Sequence, residues 1–235
     1  FLDGKNEITS IAFGSDGDRF AVSSLDKSVA IYSFLKKTPD TRRSLFHFDF
    51  ELYDLDYSVK NMLAVVGNSK QAVVQEAVLL NGYTEKTVAH QSTIRSVHFS
   101  TSGNRFITAS DDKCIKMFRL GQRNFLGSFT GHTNWIRCAR FSPSNKMIAS
   151  CSEDKTVKVF DVQSGQIIHS FKDENGYGNQ LTWHPDNNTI AIAQENGRVK
   201  IYDLAQRKLV QYYRIYDGAV KCLDFHPSGN FLVTG

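Results

Sequence analysis

The sequence predicts an all-β fold built from repeated four-stranded units, and three observations support this. Six aromatic residues recur at spacings of 42 or 44 residues: Phe13, Tyr57, Phe99, Phe141, Trp183 and Phe225. A second set has the same period: Tyr32, Val74, Phe118, Phe160 and Tyr202. Short segments of alternating polarity lie between them, separated by turn residues, as in strands. A period of about 40 to 45 residues with this content is typical of a β-propeller, in which each unit forms one blade.

The first strand of each unit ends at the aromatic residue of the first set. In residues 135–141 the polarity alternates, so that Arg137, Ala139 and Phe141 share one face of the strand. The same pattern recurs in the other units, with the last two positions apolar and the first usually polar. We therefore expect the apolar pair to pack between neighbouring blades.

Turn residues then separate the remaining strands of each unit. After the first strand come segments rich in Ser, Asp, Asn, Pro and Gly: 15–17, 102–104, 142–145, 184–187 and 226–229. A tight turn after the second strand is predicted at 25–27, 111–113, 153–155 and 195–197. A third strand follows at once, and an outer fourth strand is predicted at 125–129, 167–171 and 209–213.

Several residues resemble the marks of a WD repeat. In the fourth unit these are Gly131-His132, Ser150, Asp154 and Phe160-Asp161, and the third unit offers His90, Thr108 and Asp112. The resemblance implies that the His, Ser or Thr, and Asp side chains form a hydrogen-bonded chain that fastens the blade. Phe160 stands where that family has Trp, and it cannot donate the hydrogen bond of an indole.

The repeats set the expected domain organisation. We expect a single, incomplete WD-repeat propeller domain over residues 1–235, which is seven-bladed in the full protein. Five blades are whole and a sixth is partial, at approximately 5–48, 49–89, 90–131, 132–173, 174–215 and 216–235. The second blade is expected to be the least regular, because Ser69 stands near the place of the turn Asp.

Composition favours a soluble domain with a large core. The chain is 41% hydrophobic, and it contains no run of 18 apolar residues that would span a membrane. The net charge of +4 is spread among the blades, which permits an acidic partner without requiring one. The four cysteines form no Cys-x-x-Cys pair, so we expect reduced, buried thiols and no zinc site.

No motif for catalysis or cofactor binding is present. The sequence lacks a phosphate-binding loop, a His-Glu-x-x-His helix and a Gly-x-Ser-x-Gly turn. The adjacent carboxylates at 111–112 and 153–154 would point to opposite faces of a strand and could not act as an acid–base pair. We therefore predict a protein that is not an enzyme and holds no cofactor or metal.

Binding is the remaining function, and the innermost strands suggest where it occurs. The position four before each aromatic of the first set would lie near the mouth of the propeller channel, which makes Arg95, Arg137 and Lys221 candidates for a partly basic ring. Trp135 and Tyr177 are candidate aromatic anchors of the kind that interfaces favour. The alternative is that these are ordinary rim residues and that partners contact blade edges or loops.

Several segments are also similar to one WD-repeat family, proteome-of-centriole protein one. They are residues 93–99, 107–113, 132–143, 151–158, 208–213 and 225–232. This resemblance covers roughly residues 88–235. It implies a non-enzymatic scaffold that binds microtubule walls, with tubulin and centriolar or axonemal proteins as partners, and no nucleic acid or membrane. It further implies a place in the cytoplasm and cytoskeleton, at the centriole, basal body or cilium axoneme, and possible oligomerisation through a segment beyond this chain.

A second hypothesis stays open beside the microtubule scaffold. The chain could be a general WD-repeat adaptor, such as a substrate receptor in a ubiquitin ligase or a subunit that assembles a complex. An enzymatic propeller is the weakest alternative, because no convergent acid–base set is visible.

Overall fold

The computed structural model describes residues 7–34, 42–77, 84–121 and 124–235. Every regular element within these ranges is a β-strand, which confirms the predicted all-β class. None of the described residues belongs to a helix that could cross a membrane. Parts of the first three predicted blades, at 5–6, 35–41, 78–83 and 122–123, lie outside the described residues.

Five four-stranded antiparallel sheets follow one another along the chain, each in the order of a propeller blade. The first contains β1 (Ile8–Phe13), β2 (Arg19–Ser24), β3 (Ser28–Ser33) and β4 (Arg42–His47). The second contains β5 (Leu52–Tyr57), β6 (Met62–Gly67), β7 (Gln71–Glu76) and β8 (Thr84–Val88). The third contains β9 (Ile94–Phe99), β10 (Arg105–Ser110), β11 (Ile115–Arg119) and β12 (Asn124–Phe129).

The later sheets repeat this arrangement. The fourth contains β13 (Ile136–Phe141), β14 (Met147–Ser152), β15 (Thr156–Asp161) and β16 (Ile167–Lys172). The fifth contains β17 (Gly178–Trp183), β18 (Thr189–Gln194), β19 (Arg198–Asp203) and β20 (Lys208–Arg214). A two-stranded sheet of β21 (Leu223–Phe225) and β22 (Leu232–Thr234) follows.

The contacts divide the chain into two compact units. Unit 1 comprises Phe1–Thr108 and Met117–Leu126, and unit 2 comprises Ala109–Lys116 and Gly127–Gly235. The cores of both units lie between successive sheets. In unit 1, Leu55 and Tyr57 pack with Ile31, and in unit 2, Trp183 packs with Val159.

The two kinds of turn explain why the sheets repeat so regularly. The turn after each first strand places one residue in the left-handed region, where Gly and Asn are tolerated best. That residue is Gly or Asn in all six repeats: Gly17, Asn61, Gly103, Asn145, Asn187 and Gly229. In the tight turn after the second strand, the Asp side chain accepts the N–H two residues on, as Asp154 does from Thr156 at 2.8 Å.

The second sheet, which was expected to be the least regular, has all four strands. The hydroxyl of Ser69 accepts the N–H of Gln71 at 3.0 Å, so it makes the turn bond that Asp makes elsewhere. A short hydroxyl can satisfy this backbone group, although more weakly than a carboxylate does. The Asp in the repeat pattern is therefore replaceable at this turn.

Two apolar expectations are wrong in detail. Phe13 is 62% exposed, whereas Phe141 is 2% exposed at the equivalent position. Among the equivalent residues, Tyr57 and Trp183 are buried against the sheet that precedes them in the chain. None of the four cysteines is in a disulfide; Cys138 and Cys151 are buried as expected, but Cys114 is half-buried and Cys222 is exposed.

Candidate interaction surface

A hydrogen-bonded chain fastens the fourth sheet. His132 Nδ1 lies 2.8 Å from Asp154 Oδ2, and His132 Nε2 lies 2.8 Å from the hydroxyl of Ser150. Because a carboxylate only accepts hydrogen bonds, Nδ1 carries the donated hydrogen. The Thr156 hydroxyl donates to Asp154 Oδ1 at 2.6 Å, so the carboxylate joins the turn to the histidine.

Phe160 takes the place of the indole in this sheet. It is fully buried, and its ring meets His132 and Phe129 edge to face, with centroids 6.5 and 5.7 Å apart. Such aromatic contacts contribute packing energy beyond the buried area. The ring thus fills the space beside the histidine without supplying a hydrogen bond.

The third sheet has a related arrangement. In unit 1, His90 Nε2 lies 2.8 Å from the hydroxyl of Thr108, and both side chains are buried. In unit 2, Asp112 Oδ1 accepts the N–H of Cys114 at 3.1 Å, which is the tight-turn bond.

The fifth sheet is fastened by a buried ion pair that sequence reasoning missed. The Lys200 ammonium donates to Asp173 Oδ2, and the Gln194 amide donates to the same oxygen at 2.6 Å. Both charged side chains are less than a tenth exposed. Burial raises the pKa of Asp173, but the hydrogen bonds from Lys200, the Asn175 N–H and Gln194 together outweigh burial and lower that pKa below its usual value. The sequence does carry one signal of this difference, since the fifth repeat lacks the His and Ser that fasten the fourth.

Three of the predicted partner-binding residues meet in unit 2. The Arg137 guanidinium lies over the ring of Trp135 at 5.9 Å and over the ring of Tyr177 at 5.8 Å. Trp135 precedes β13 and Tyr177 precedes β17, so the two rings come from equivalent places in neighbouring sheets. Trp135 is 42% exposed. The arginine is thus held between two aromatic side chains at the surface.

Two glutamates that were not predicted complete this group. The Arg137 guanidinium forms an ion pair with Glu153, whose N–H donates to the carbonyl of Trp135 at 2.9 Å. The N–H of Glu195 donates to the carbonyl of Tyr177 at 3.2 Å. Burial raises the pKa of Tyr177, and a side-chain hydrogen bond to Glu195 raises it further. We call Trp135, Arg137, Glu153, Tyr177 and Glu195 the rim cluster.

The other two predicted residues stand apart from this group. Arg95 belongs to unit 1, where its guanidinium lies 4.9 Å from the ring centroid of Tyr53. Lys221 is exposed just before β21, and its N–H donates to the carbonyl of Gly235 at 2.7 Å. Each lies at the expected position of its own repeat. The basic ring that would unite them with Arg137 stays a prediction.

A further repeated contact is made by the residue three positions before the aromatic residue of the first set. In unit 1, Asp54 accepts the N–H of Val97 at 3.0 Å. In unit 2, Gln180 accepts the N–H of Leu223 at 2.8 Å. Each bond joins a first strand to the first strand of the next sheet, 43 residues on. The sequence pattern showed only that this position faces away from the apolar pair.

The described residues offer little to a metal. No group of three or more His, Cys, Asp or Glu side chains among them could hold an ion. A shallow cleft of about 270 Å³ in unit 2 is lined by Met147, His169, Arg207 and neighbouring residues. The rim cluster is therefore the candidate site that best combines aromatic, cationic and anionic groups.

Four-stranded sheets of this order, one of them fastened by His, Ser and Asp side chains, define the chain as a WD-repeat β-propeller protein. Comparison with known families agrees. The family described as "WD domain, G-beta repeat" matches residues 1–33, 82–119 and 123–161. The family described as "Anaphase-promoting complex subunit 4 WD40 domain" matches residues 173–228.

The curated relatives that match are fungal. "Protein hir1" of Schizosaccharomyces pombe is 28% identical over 141 residues, which cover 53% of this chain and 15% of the relative. "Protein HIR1" of Kluyveromyces lactis is 28% identical over 130 residues, covering 48% and 15%. "Protein hir-1" of Neurospora crassa is 31% identical over 134 residues, covering 48% and 12%. The matched regions thus span about a seventh of these relatives.

These relatives correct the predicted localisation. The cytoskeleton, centriole, basal body and cilium axoneme were inferred from family resemblance, and this prediction is wrong because the relatives that match are HIR1 proteins and not centriolar ones. The segments that suggested a centriolar family lie in and around strands and turns that any WD repeat needs. They therefore indicate the fold of the protein more than its location in the cell. The comparisons favour the adaptor hypothesis over the microtubule scaffold.

Proposed function

We propose that this protein is a non-catalytic WD-repeat adaptor that binds a partner protein through the rim cluster. The observation that carries the proposal is the placing of Arg137 between Trp135 and Tyr177 at the surface. Tryptophan, tyrosine and arginine dominate the binding energy of protein interfaces. The protein-complex subunit named in one matching family description supports a role in assembly.

The cluster suits binding because it is already ordered. Backbone hydrogen bonds connect each glutamate to the aromatic residue of its own sheet, and the arginine joins the two sheets. Side chains held in one arrangement lose less entropy on binding. The predicted contact with tubulin is untested and stays a prediction.

Site-specific cross-linking tests this proposal. A photo-cross-linking amino acid at exposed Asn175, two residues before Tyr177, should give a discrete set of adducts in cells. Combining Trp135→Ala with Tyr177→Ala should remove them without changing the unfolding midpoint. Tyr212→Ala is the matched control, because Tyr212 lies on β20, at the opposite edge of the sheet from β17. If the protein that carries the cross-linker but neither alanine substitution gives no adducts, an adaptor function at this site is contradicted.

A further inference from the structure

The rim cluster carries more negative than positive charge. Arg137 contributes one positive charge and already pairs with Glu153. Glu195 is exposed and receives the hydrogen bond of Tyr177. The net charge of the cluster is therefore about −1 at neutral pH. This reverses the sign expected from the sequence, where Arg137 suggested a basic surface.

The pairing of an aromatic residue with a glutamate is particular to two neighbouring sheets. In four repeats, the N–H of the residue before the tight turn donates to the carbonyl of a residue just before or at the start of the first strand. These pairs are Glu7 with Leu25 and Glu51 with Asn68 in unit 1, and Trp135 with Glu153 and Tyr177 with Glu195 in unit 2. The same backbone bond forms in all four pairs, so it does not require the aromatic and acidic side chains that unit 2 carries at these positions.

We propose that the rim cluster binds a lysine or arginine side chain of a basic segment in the partner protein. The inference rests on the proposed function and names the chemistry of the partner. Aromatic faces and carboxylates together favour a cation, since the ring quadrupole and the negative charge act in the same direction. The exposed indole of Trp135 and the exposed carboxylate of Glu195 supply these two features.

Arg137 acts as a positioning residue in this arrangement. Its guanidinium lies between the two rings and pairs with Glu153, so its positive charge is neutralised within the protein. A carboxylate from a partner would have to compete with Glu153 and approach Glu195. An acidic segment is therefore disfavoured, and a basic one meets an uncompensated negative charge.

Titration with peptides of equal length tests the inference. Lysine-rich, arginine-rich, glutamate-rich and neutral peptides are added to the whole chain at about 0.15 M salt, where distant surface charges are screened. Binding is followed by tryptophan emission and by calorimetry. The chain has two tryptophans, and Trp183 is buried, so a change that disappears in Trp135→Phe reports on the cluster.

The expected result is binding of both basic peptides and not of the glutamate-rich one. Glu195→Gln should weaken binding about threefold to tenfold, as loss of a partly screened ion pair does. Glu174→Gln removes the same charge from an exposed residue of unit 2 and should leave binding unchanged. Tighter binding of the glutamate-rich peptide, or equal effects of the two glutamine variants, would overturn the inference.

Failure of this inference differs from failure of the proposed function. If Asn175 cross-links to a partner at an acidic or apolar segment, the adaptor function stands and the basic-segment inference is wrong. If basic peptides bind but no cross-link to a protein forms, the chemistry of the cluster stands and the adaptor function is wrong.

Discussion

Asp154 shows how one carboxylate can fasten a blade. It accepts hydrogen bonds from His132, from the hydroxyl and N–H of Thr156, and from the N–H of Thr133 at 2.9 Å. Burial by itself raises the pKa of Asp154, but these hydrogen bonds outweigh burial and hold the pKa well below its usual value. The folded state therefore favours the ionised form.

The first prediction concerns the pH dependence of this carboxylate. Because its folded-state pKa is lowered, its stabilisation is present above the ordinary carboxyl pKa of about 4 and is lost as the pH falls toward the lowered value. Asp154→Asn should lower the free energy of unfolding by about 1 to 3 kcal/mol at pH 7. Urea unfolding should show the difference from wild type shrinking below about pH 4.

The control for this prediction is Asp217→Asn, because the Asp217 side chain is 97% exposed. It should unfold like wild type throughout the same pH range. A difference between Asp154→Asn and wild type that stays constant down to pH 2 would show that the carboxylate does not carry the pH dependence.

At the scale of the element, the fourth and fifth sheets are fastened by different side-chain interactions. The fourth sheet uses the hydroxyl of Ser150, the imidazole of His132 and the carboxylate of Asp154, whereas the fifth uses the ion pair of Lys200 and Asp173. A buried ion pair adds little stability over an apolar pair, but removing one partner leaves an uncompensated charge. The fifth sheet should be the more sensitive to a single substitution.

The second prediction is that Lys200→Met lowers the free energy of unfolding by about 3 to 5 kcal/mol. Asp173 would keep the Gln194 amide but lose its positive partner. Lys172→Met makes the same chemical change in an exposed ion pair with Glu174, and it should cost less than about 1 kcal/mol. Equal effects of the two substitutions in urea unfolding would contradict a fastening role for Lys200.

The sequence predicted the elements better than it predicted their contacts. The turn residues and the alternation set the strand bounds locally, so the four-stranded order could be predicted from them. The pairing of Arg137 with Glu153 could not, because it depends on how a strand side chain of β13 meets a side chain of the turn after β14. Likewise, the replacement of His and Ser by Asp173 and Lys200 has no counterpart in the repeat pattern.

At the scale of the whole molecule, the repeat fixes spacing but not burial. Phe13 and Phe141 occupy the same position of the repeat, yet Phe13 is 62% exposed and Phe141 is 2% exposed. An aromatic side chain contributes to stability in proportion to the apolar area that its neighbours remove from water. Equivalent residues should therefore differ strongly in their energetic contribution.

The third prediction compares these two positions directly. Phe141→Ala should lower the free energy of unfolding by about 3 to 5 kcal/mol, because it truncates a buried aromatic side chain. Phe13→Ala should cost less than about 1 kcal/mol in this chain, because most of its ring is already in water. Thermal or urea unfolding of the two variants measures the difference, and equal losses would show that Phe13 is covered in solution.

The fourth prediction concerns the apolar surface on the first sheet of unit 1. Ile11, Phe13 and Phe34 are each more than half exposed, and the rings of Phe13 and Phe34 are stacked with centroids 6.3 Å apart. Contiguous exposed apolar surface promotes association, whereas a net charge of +4 opposes it at low salt. We expect the purified chain to associate with itself as protein concentration and sulfate concentration rise.

Sedimentation velocity can assign this association to the Phe13–Phe34 surface. Combining Phe13→Ser with Phe34→Ser should shift the chain toward monomer at every concentration. Phe125→Ser is the matched control, because Phe125 is an exposed phenylalanine on β12, the outer strand of a different sheet in unit 1. If the control shifts the equilibrium as much as the double variant, general surface hydrophobicity drives the association. If neither does, the stacked rings are not a contact surface, and their exposure has no consequence for the state of the chain in solution.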